Sequence, residues 1–318
     1  MIDLHCDTIM KLFFNKESSL KENNYHVDIN KLRKSNSFLQ CFAIFAPHTY
    51  LDKEGVTATN EYELVTQMAD RFFEELEGNK EDILLVRNFS DINNNKKSGK
   101  ISALLTIEGA GSIDSLERIN EYYDMGVRLI TLTWNFVNCI GYPNVDGHND
   151  KGLTEFGLKA VKRMNELGII VDVSHLSDGG FWDVVNHSTK PFVASHSNAR
   201  AICPHDRNLT DDMIKALARK DGVIGVNFYP KFITNDLETN EMRVRDLVTQ
   251  IKYIKDIGGI DCIALGTDFD GMAGDLEIYD IGEMDKLKIA LKEDGFTFEE
   301  IEKIWYKNAL RVMQETLK

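Results

Sequence analysis

Short runs of apolar and β-branched residues alternate along the chain with longer segments in which apolar positions recur at helical spacing. Eight of these runs are predicted to be strands, because the buried strands of a parallel sheet read as nearly continuous apolar sequence. They occupy residues 1–7, 38–46, 101–108, 127–133, 168–175, 191–196, 222–229 and 262–268. Most of the runs are separated by an amphipathic segment, which predicts an α/β protein with helices around a parallel sheet.

Eight strand–helix alternations predict a (β/α)8 or TIM barrel. Segment 154–168 is the clearest predicted helix, since Thr154 is a favoured N-cap residue and Gly168 suits the C-terminal end. Barrels of this kind commonly have about 200–250 residues or more in one domain. We therefore expect residues 1–318 to form a single domain with insertions.

Two segments depart from the simple repeat. The span 54–100 is long, polar and partly helical, and the segment 135–152 is rich in Gly, Asn and Asp. The second segment follows the fourth run, so in a barrel it would lie at the face where active sites are built. Because long loops in compact domains are usually functional or disordered, we expect this loop beside the catalytic site.

Side chains that can bind metal lie at the ends of five of the eight runs. They are His5, Asp7, Glu108, His175, His196 and Asp268. The carboxyl ends of barrel strands meet at one face, and residues two apart on a strand, such as His5 and Asp7, point the same way. Any one of them alone would be better explained as a structural polar group. Together they predict a metal site, because buried charges are costly unless they are paired or bound to metal.

The number of candidate ligands predicts a binuclear site. Imidazoles and carboxylates suit zinc or a similar ion, and six candidates exceed the three protein ligands of a typical mononuclear catalytic zinc. His5 and Asp7 would hold one ion, His175 and His196 would hold the other, and Glu108 could bridge them. The remaining carboxylate, at the end of the last run, is left for proton transfer.

Composition narrows the expected partners. The formal net charge is −14, from 37 Lys and Arg against 51 Asp and Glu, which argues against nucleic-acid binding and favours a small molecule or peptide. Five cysteines without C-x-x-C spacing indicate neither a disulfide framework nor a zinc finger, and we expect buried free thiols. They are Cys6, Cys41, Cys139, Cys203 and Cys262. The sequence shows no signal peptide and no apolar run of ~18 residues, so a cytoplasmic protein without a membrane anchor is expected.

Seven stretches, taken in their order and spacing, resemble the membrane (renal-type) dipeptidase family, peptidase family M19 of the amidohydrolase superfamily. They are LHCDT, LLTIEGAGSID, GVRLITLTWN, GLTEFGLKAVKRMNELGIIVDVSHLS, PFVASHSNARAIC, RNLTDDMI and LGTDFDG. The resemblance covers nearly the whole chain. It implies a barrel of the metal-dependent hydrolase type with two zinc ions per subunit, which hydrolyses dipeptides and tolerates a D-residue on the carboxyl side.

The resemblance also implies roles for particular residues. His5, Asp7 and Glu108 would bind one zinc ion, and Glu108 would bind the other together with His175 and His196. The acid/base of the family matches Asp268, and the residue that receives the substrate's terminal carboxylate matches Arg207. Taken alone, Arg207 would be read as a surface arginine. The resemblance is also compatible with a homodimer.

One departure from the family concerns the residue after the fourth run. Mammalian members have a substrate-contacting histidine there, whereas this chain has Trp134, so the carbonyl-polarising role of that histidine cannot be transferred. We expect Trp134 to be an apolar wall of the substrate pocket. We expect a zinc ion to provide most of the stabilisation of the oxyanion. Otherwise an N–H donor must come from the Trp134 indole or from His148, which alone would be interpreted as a solvent-facing loop residue.

Two other functions are also compatible with the sequence. The first is a different hydrolase of the superfamily, acting on a lactone, a cyclic amide or a phosphoester. Many binuclear members of that type use a carboxylated lysine from the fourth strand, and VRLITLT contains no lysine. The second is a non-catalytic metal-binding barrel, which the retention of all six candidate residues disfavours. Recycling of cell-wall dipeptides is the physiological role we expect.

Overall fold

The computed structural model describes residues 1–145, 147–236 and 238–318. Its strands are β1 (Ile2–Asp3), β2 (Leu39–Phe45), β3 (Ile83–Leu85), β4 (Ile101–Glu108), β5 (Val127–Thr131), β6 (Ile170–Asp172), β7 (Val193–Ala194), β8 (Val223–Val226), β9 (Glu241–Met242), β10 (Ile263–Leu265) and β11 (Asp275–Leu276). Its α-helices are α1 (Thr8–Phe14), α2 (Ile29–Lys34), α3 (Glu61–Gly78), α4 (Phe89–Lys97), α5 (Leu116–Met125), α6 (Glu155–Leu167), α7 (Asp178–His187), α8 (Asp211–Arg219), α9 (Val244–Gly258), α10 (Asp285–Glu293), α11 (Phe298–Glu302) and α12 (Asn308–Thr316). Short 3-10 turns occupy His48–Tyr50, Ala110–Ser112, Pro230–Phe232, Ile260–Cys262 and Ile281–Glu283, and a π-helical turn at Lys303–Lys307 joins α11 to α12.

Eight parallel strands follow the order β1-β2-β4-β5-β6-β7-β8-β10 around the sheet. The two ends of this order meet. The N–H of Leu4 donates to the C=O of Leu265 at 3.0 Å, and the N–H of Asp268 donates to the C=O of His5 at 3.2 Å. The predicted (β/α)8 barrel is therefore confirmed, and its first and last strands close it.

Strand β3 was not predicted from the sequence. It lies in the span 54–100 and pairs with residues 101–103 of β4, whereas β5 pairs with β4 from Leu105 onward. Its three residues, ILL, are too few to show the period of a strand. Strand β3 thus fills the part of the β4 edge that β5 leaves free.

Each of the eight predicted runs contains one barrel strand, but most strands end before their run does. The run 168–175, for example, contains only β6, and its last three residues leave the sheet. Helix α6 agrees more closely with its prediction. The Thr154 hydroxyl accepts from the N–H of Gly157 at 2.9 Å, and Gly168 ends the helix in the left-handed conformation at φ 86°.

The apolar side chains form two buried clusters. One takes residues from all eight barrel strands and from α12, so this last helix packs against the barrel core. The other joins strand residues to the apolar faces of surrounding helices such as α3, α6 and α9. Burial of this apolar area is the main favourable contribution to the stability of the fold.

The cysteine prediction needs one correction. All five cysteines are free, and four are buried, but Cys139 is exposed. It belongs to the loop 135–152 that follows β5. Among the described residues, none of the helices combines the length and apolar character that a membrane span requires.

Candidate metal centre

The side chains that the sequence singles out lie together at the carboxyl face of the barrel. Glu108 is the last residue of β4, Asp7 comes four residues after β1, and the other four come two or three residues after their strands. These are His5 after β1, His175 after β6, His196 after β7 and Asp268 after β10. The first turns after the strands therefore position most of the site.

Three groups of ligand atoms have all members within 4.8 Å of one another. The groups are His5, Asp7 and Glu108; Glu108, His175 and His196; and His5, His196 and Asp268. The Glu108 carboxylate belongs to two of them. Its Oε1 lies 3.0 Å from His175 Nε2 and 3.4 Å from His196 Nε2, and its Oε2 lies 3.7 Å from His5 Nε2. The two oxygens of one carboxylate thus face different sets of histidines.

Hydrogen bonds fix which nitrogen of His175 and of His196 carries the proton. The Oδ1 of Asn135 can only accept, so the protonated Nδ1 of His175 donates a hydrogen bond to it at 3.1 Å. The Ser195 hydroxyl donates its one proton to Asp172 Oδ2 at 2.6 Å, so it accepts from His196 Nδ1 at 2.8 Å. In both rings the Nε2 lone pair therefore points into the site.

These two Nε2 atoms are only 3.1 Å apart. Burial lowers the pKa of both imidazoles well below the usual histidine range, so neither ring supplies a proton to the contact. The two Nε2 lone pairs then face each other in a buried space. A cation between them would remove this repulsion.

Asp172 anchors this part of the site, and it was missed from the sequence. Its Oδ1 accepts from the backbone N–H groups of Ser174 at 3.0 Å and Ser195 at 2.8 Å. Its Oδ2 accepts from the hydroxyls of Ser195 and Thr131, both at 2.6 Å. The available signal was a carboxylate inside an apolar run, three residues before His175 in VDVSH. Such a residue needs hydrogen-bond partners, because an unpaired buried charge is costly.

Backbone strain is concentrated at the same place. His175 has φ 66°, Asp268 has φ 63° and Asp270 has φ 71°. Residues other than glycine rarely adopt these left-handed values, which cost about 1–3 kcal/mol each and cluster at functional sites. The surrounding hydrogen bonds hold the strained turn after β10, where the Asp270 carboxylate accepts from Thr8 at 2.6 Å and from the N–H of His26 at 2.8 Å.

The charges of the remaining site residues also favour a cation. Burial lowers the pKa of His5, but Glu108, Asp7 and Asp268 outweigh this and raise it to about 10. Burial raises the pKa of Glu108 well above its usual range and that of Asp268 to about 6. Several carboxylates in one buried space repel one another, so positive charge among them is strongly favoured.

The donor set fits a metal ion on a further observation. Asp7 Oδ1 is buried and has no hydrogen-bond partner among the described residues, which is costly for a carboxylate oxygen. It lies in the group with His5 and Glu108. Neutral imidazoles and carboxylates are ligands of zinc and similar divalent ions. The residues at this face could therefore hold metal.

A cavity of about 530 Å³, here called the main cavity, opens onto this cluster. Its polar wall includes Asp7, Glu108, Asn135, His175 and Asp268. The cavity is also lined by the aromatic residues Phe45, Tyr50, Trp134, Tyr229 and Phe232. Trp134 thus lines this cavity, and its contact with a substrate stays a prediction.

Arg207 is buried, so the reading of this residue as a surface arginine is wrong. Its guanidinium donates to the C=O of His196 at 3.1 Å and to the Ser197 hydroxyl at 3.4 Å, and it lies 5.4 Å from the Phe232 ring. Its Nε has no partner among the described residues. His148, in contrast, contacts the Tyr142 ring at 5.4 Å, and neither residue is among those that line the main cavity.

The model of one protein family, described as membrane dipeptidase (peptidase family M19), matches residues 1–318. The chain belongs to this family. As a member of M19 it is a metallopeptidase and a dipeptidase, with the fold that the sequence predicted. The resemblance noted in the sequence is thus confirmed.

Relatives of this M19 dipeptidase include an uncharacterised protein encoded in the pqqA 5′ region of Klebsiella pneumoniae. It is 36% identical over 233 residues, which are 71% of this chain and 86% of that protein. An uncharacterised dipeptidase of Schizosaccharomyces pombe is 32% identical over 337 residues, which are 99% of this chain and 80% of that protein.

Two solved structures are similar over almost their whole length. Dipeptidase AC, a metallopeptidase of family M19, is 25% identical with a TM-score of 0.90, covering 99% of this chain and 98% of that one. A metallopeptidase of Rhodobacter sphaeroides, crystallised with a phosphinate mimic of the dipeptide L-Ala-D-Ala, is 24% identical with the same TM-score and coverage. At 24% identity, the similarity to the Rhodobacter sphaeroides protein shows that the two chains share a fold.

Proposed function

We propose that this M19 dipeptidase is a binuclear zinc enzyme that hydrolyses dipeptides and tolerates a D-residue on the carboxyl side, such as L-Xaa-D-Ala. The observation that carries the proposal is the 3.1 Å approach of two unprotonated Nε2 atoms, those of His175 and His196, beside Glu108 Oε1. This arrangement is unfavourable without a cation. Glu108 also reaches a second set of ligand atoms, which supports two ions.

The proposed ligands form two sets that share one carboxylate. His5, Asp7 and Glu108 would hold one zinc ion, and Glu108, His175 and His196 would hold the other. Zinc bound here would supply Lewis acidity, which polarises the scissile carbonyl and makes water a better nucleophile at neutral pH. The protein holds the ligand rings in orientation through Asn135 and Ser195, as such outer contacts do in other metal sites.

The chain's own groups would carry the remaining steps. Asn227 donates to Asp268 Oδ2 at 2.9 Å, so Oδ1 is the oxygen left to accept a proton from the attacking water and pass it to the leaving amine. The buried Arg207 guanidinium would bind the terminal carboxylate of the dipeptide, for which its planar fork is suited. Trp134 would form the apolar wall.

Five free cysteines support a reducing, cytoplasmic location. We treat residues 1–318 as one dipeptidase domain, and a homodimer remains a prediction. Since the Rhodobacter sphaeroides protein binds a mimic of L-Ala-D-Ala, the proposed role is recycling of dipeptides from cell-wall peptide.

The test combines metal content with a substrate panel. Purified protein is stripped of metal, reconstituted with zinc, and assayed on L-L, L-D and D-L dipeptides of the same composition. Two zinc ions per chain and faster cleavage of L-Ala-D-Ala than of D-Ala-L-Ala are expected. One ion per chain at full activity would overturn the binuclear assignment, and turnover confined to lactones or phosphoesters would overturn the dipeptidase assignment.

A further inference from the structure

A second, smaller cavity of about 160 Å³ adjoins the main cavity and is here called the side pocket. Its wall includes Phe45, His48, Glu61, Glu108, Trp134 and Phe136. The two cavities share Phe45, Glu108 and Trp134. Since cavities of roughly 150 Å³ accept a benzene-sized group, the side pocket has room for one side chain of a substrate.

The side pocket is lined by aromatic rings. The centroids of Phe45 and Trp134 are 4.7 Å apart, those of Trp134 and Phe136 are 5.4 Å apart, and those of Phe136 and His48 are 4.4 Å apart. Aromatic faces carry partial negative charge and attract cations that come within about 6 Å. A chain of rings around a small space therefore favours a positively charged occupant.

A carboxylate at the same pocket adds a full negative charge. The Oε1 of Glu61 accepts from the N–H of His48 at 2.9 Å, and the His48 ring lies 3.7 Å from the same oxygen. The other oxygen, Oε2, has no hydrogen-bond donor among the described residues. A Cβ at Gly111 would lie 2.5 Å from this oxygen, so the glycine leaves space for the carboxylate. The Glu61 side chain is 22% exposed, which leaves it open to a ligand.

The position of the side pocket indicates which part of a dipeptide would enter it. The pocket is built by residues that end or follow β2, β4 and β5, whereas Arg207 follows β7 and contacts the segment after β8. In the sheet order, β4 and β8 are on opposite sides of the barrel. A dipeptide that spans the metal centre with its carboxylate at Arg207 thus directs its amino-terminal residue toward the side pocket.

We propose that the side pocket selects dipeptides whose amino-terminal residue has a cationic side chain, lysine or arginine, and that Glu61 is the specificity-determining residue. The inference rests on the proposed dipeptidase function and names the substrate class of the same site. An ion pair that is partly shielded from water, together with aromatic contacts, is expected to give about a tenfold preference.

The test compares two substrates that differ only in the ammonium group, L-Lys-D-Ala and L-norleucine-D-Ala, on the zinc-reconstituted full chain. The wild type is expected to show a kcat/KM ratio of about ten or more in favour of lysine. Glu61→Gln should bring the ratio to within about twofold of one, with the loss on the lysine substrate. Glu61→Lys should favour L-Glu-D-Ala over L-Gln-D-Ala, and this second variant keeps the test informative if the first is poorly folded.

The matched control is Glu77→Gln on the same helix α3. Its side chain is 74% exposed and, among the described residues, forms an ion pair with Lys80 on the surface, so the variant makes the same charge change and should keep the wild-type ratio. A wild-type ratio near one, with both substrates cleaved, would overturn the cationic subsite and leave the dipeptidase function intact. An equal loss on both substrates in Glu61→Gln would assign Glu61 to the α-amino group instead. Failure to cleave any dipeptide would remove the proposed function itself.

Discussion

At the scale of single residues, the candidate site depends on groups that do not touch the reacting atoms. Asn135 and Ser195 determine the tautomers of His175 and His196, and Asp172 determines the orientation of Ser195. Each is an ordinary polar residue by sequence, with a role set by its neighbours in space. Substitution of these residues should therefore weaken metal binding more than it destabilises the fold.

Ser195→Ala removes the acceptor of the His196 Nδ1 proton and leaves that nitrogen buried without a partner. We expect the affinity for zinc to fall about 10- to 100-fold, as is typical when such an outer contact is lost. Competition with a chelator measures this affinity. Ser188→Ala, which removes another buried hydroxyl that bonds to Asn165 at 3.2 Å, is the matched control. Equal affinities of the two variants would show that Ser195 does not orient the ligand.

Asp268→Asn is expected to keep its metal and lose turnover. An amide cannot carry the proton from water to the leaving amine, and general acid–base help is typically worth ~10²–10⁴-fold. Metal analysis and steady-state rates on the same preparation separate the two effects. Glu108→Gln should instead lose metal first, because a neutral amide bridges two cations poorly. Near-normal activity of Asp268→Asn at full metal content would exclude Asp268 from proton transfer.

Arg207→Met is expected to weaken the binding of free dipeptides, because the guanidinium is proposed to hold their terminal carboxylate. The comparison is between a dipeptide and its C-terminal amide, with KM and kcat measured for both. The amide should be a poor substrate of the wild type and little affected by the substitution. Equal losses on acid and amide would place Arg207 in the support of His196, whose carbonyl it contacts.

At the scale of elements, close packing between neighbouring strands holds the ligands in place. A Cβ at Gly225 in β8 would lie 1.9 Å from the carbonyl oxygen of Ser195, and the same oxygen would be 1.7 Å from a Cβ at Gly266. Real contacts of that length do not occur, so the segment that carries His196 fits only against glycine. The position of this histidine thus depends on β8 and on the turn after β10.

Gly225→Ala is expected to lower the free energy of unfolding by about 1–3 kcal/mol or more, as overpacking of a rigid core does. Zinc affinity should fall with it, since the Ser195 backbone must move. Thermal unfolding with and without zinc measures both effects. Gly78→Ala, at the end of α3, meets no atom within 4 Å and should leave stability unchanged or slightly higher. If both variants unfold at the wild-type temperature, close packing of Gly225 against Ser195 does not hold the segment that carries His196.

The sequence predicted those elements whose pattern is local. Eight apolar runs predicted the eight barrel strands, and the caps of α6 were readable because Thr154 and Gly168 act within their own turn. Strand β3 was too short to carry a pattern, and the exposure of Cys139 depends on what covers a loop. The six candidate ligands were visible because polar residues ended apolar runs.

The hydrogen bonds around those candidate ligands could not be predicted from local sequence patterns. Asn227 bonds to Asp268 across 41 residues, and Asn135 bonds to His175 across 40. Such pairs form only after parallel strands are brought side by side, so no local pattern marks them. Arg207 shows the same limit, since its burial depends on Phe232 and on the turn after β7.

At the scale of the whole molecule, metal binding at the proposed site is expected to release protons. His5 has a pKa of about 10, raised by Glu108, Asp7 and Asp268 against the effect of burial, so it is protonated below that pH. It must lose this proton before Nε2 can bind zinc. The apparent zinc affinity should therefore rise about tenfold per pH unit for each proton released, up to pH of about 10.

Isothermal titration calorimetry in buffers of different ionisation enthalpy measures the number of protons released. Release of at least one proton per chain is expected at pH 7.5. Burial raises the pKa of Glu108 well above the usual range, which favours release of a second proton. Binding heats that do not change with the buffer would contradict this coupling.

The closure of the barrel also determines when the site is completed during synthesis of the chain. Strand β10 lies next to β1, and the turn that carries Asp268 bonds to His5, so two residues more than 260 positions apart complete one centre. During synthesis, His5 and Asp7 leave the ribosome long before Asp268 does. A nascent chain therefore presents all five proposed ligands before it presents the carboxylate proposed for proton transfer, and the centre is completed only after the last strand has emerged. Under the proposed mechanism, turnover would therefore begin only with barrel closure, even if metal is bound earlier.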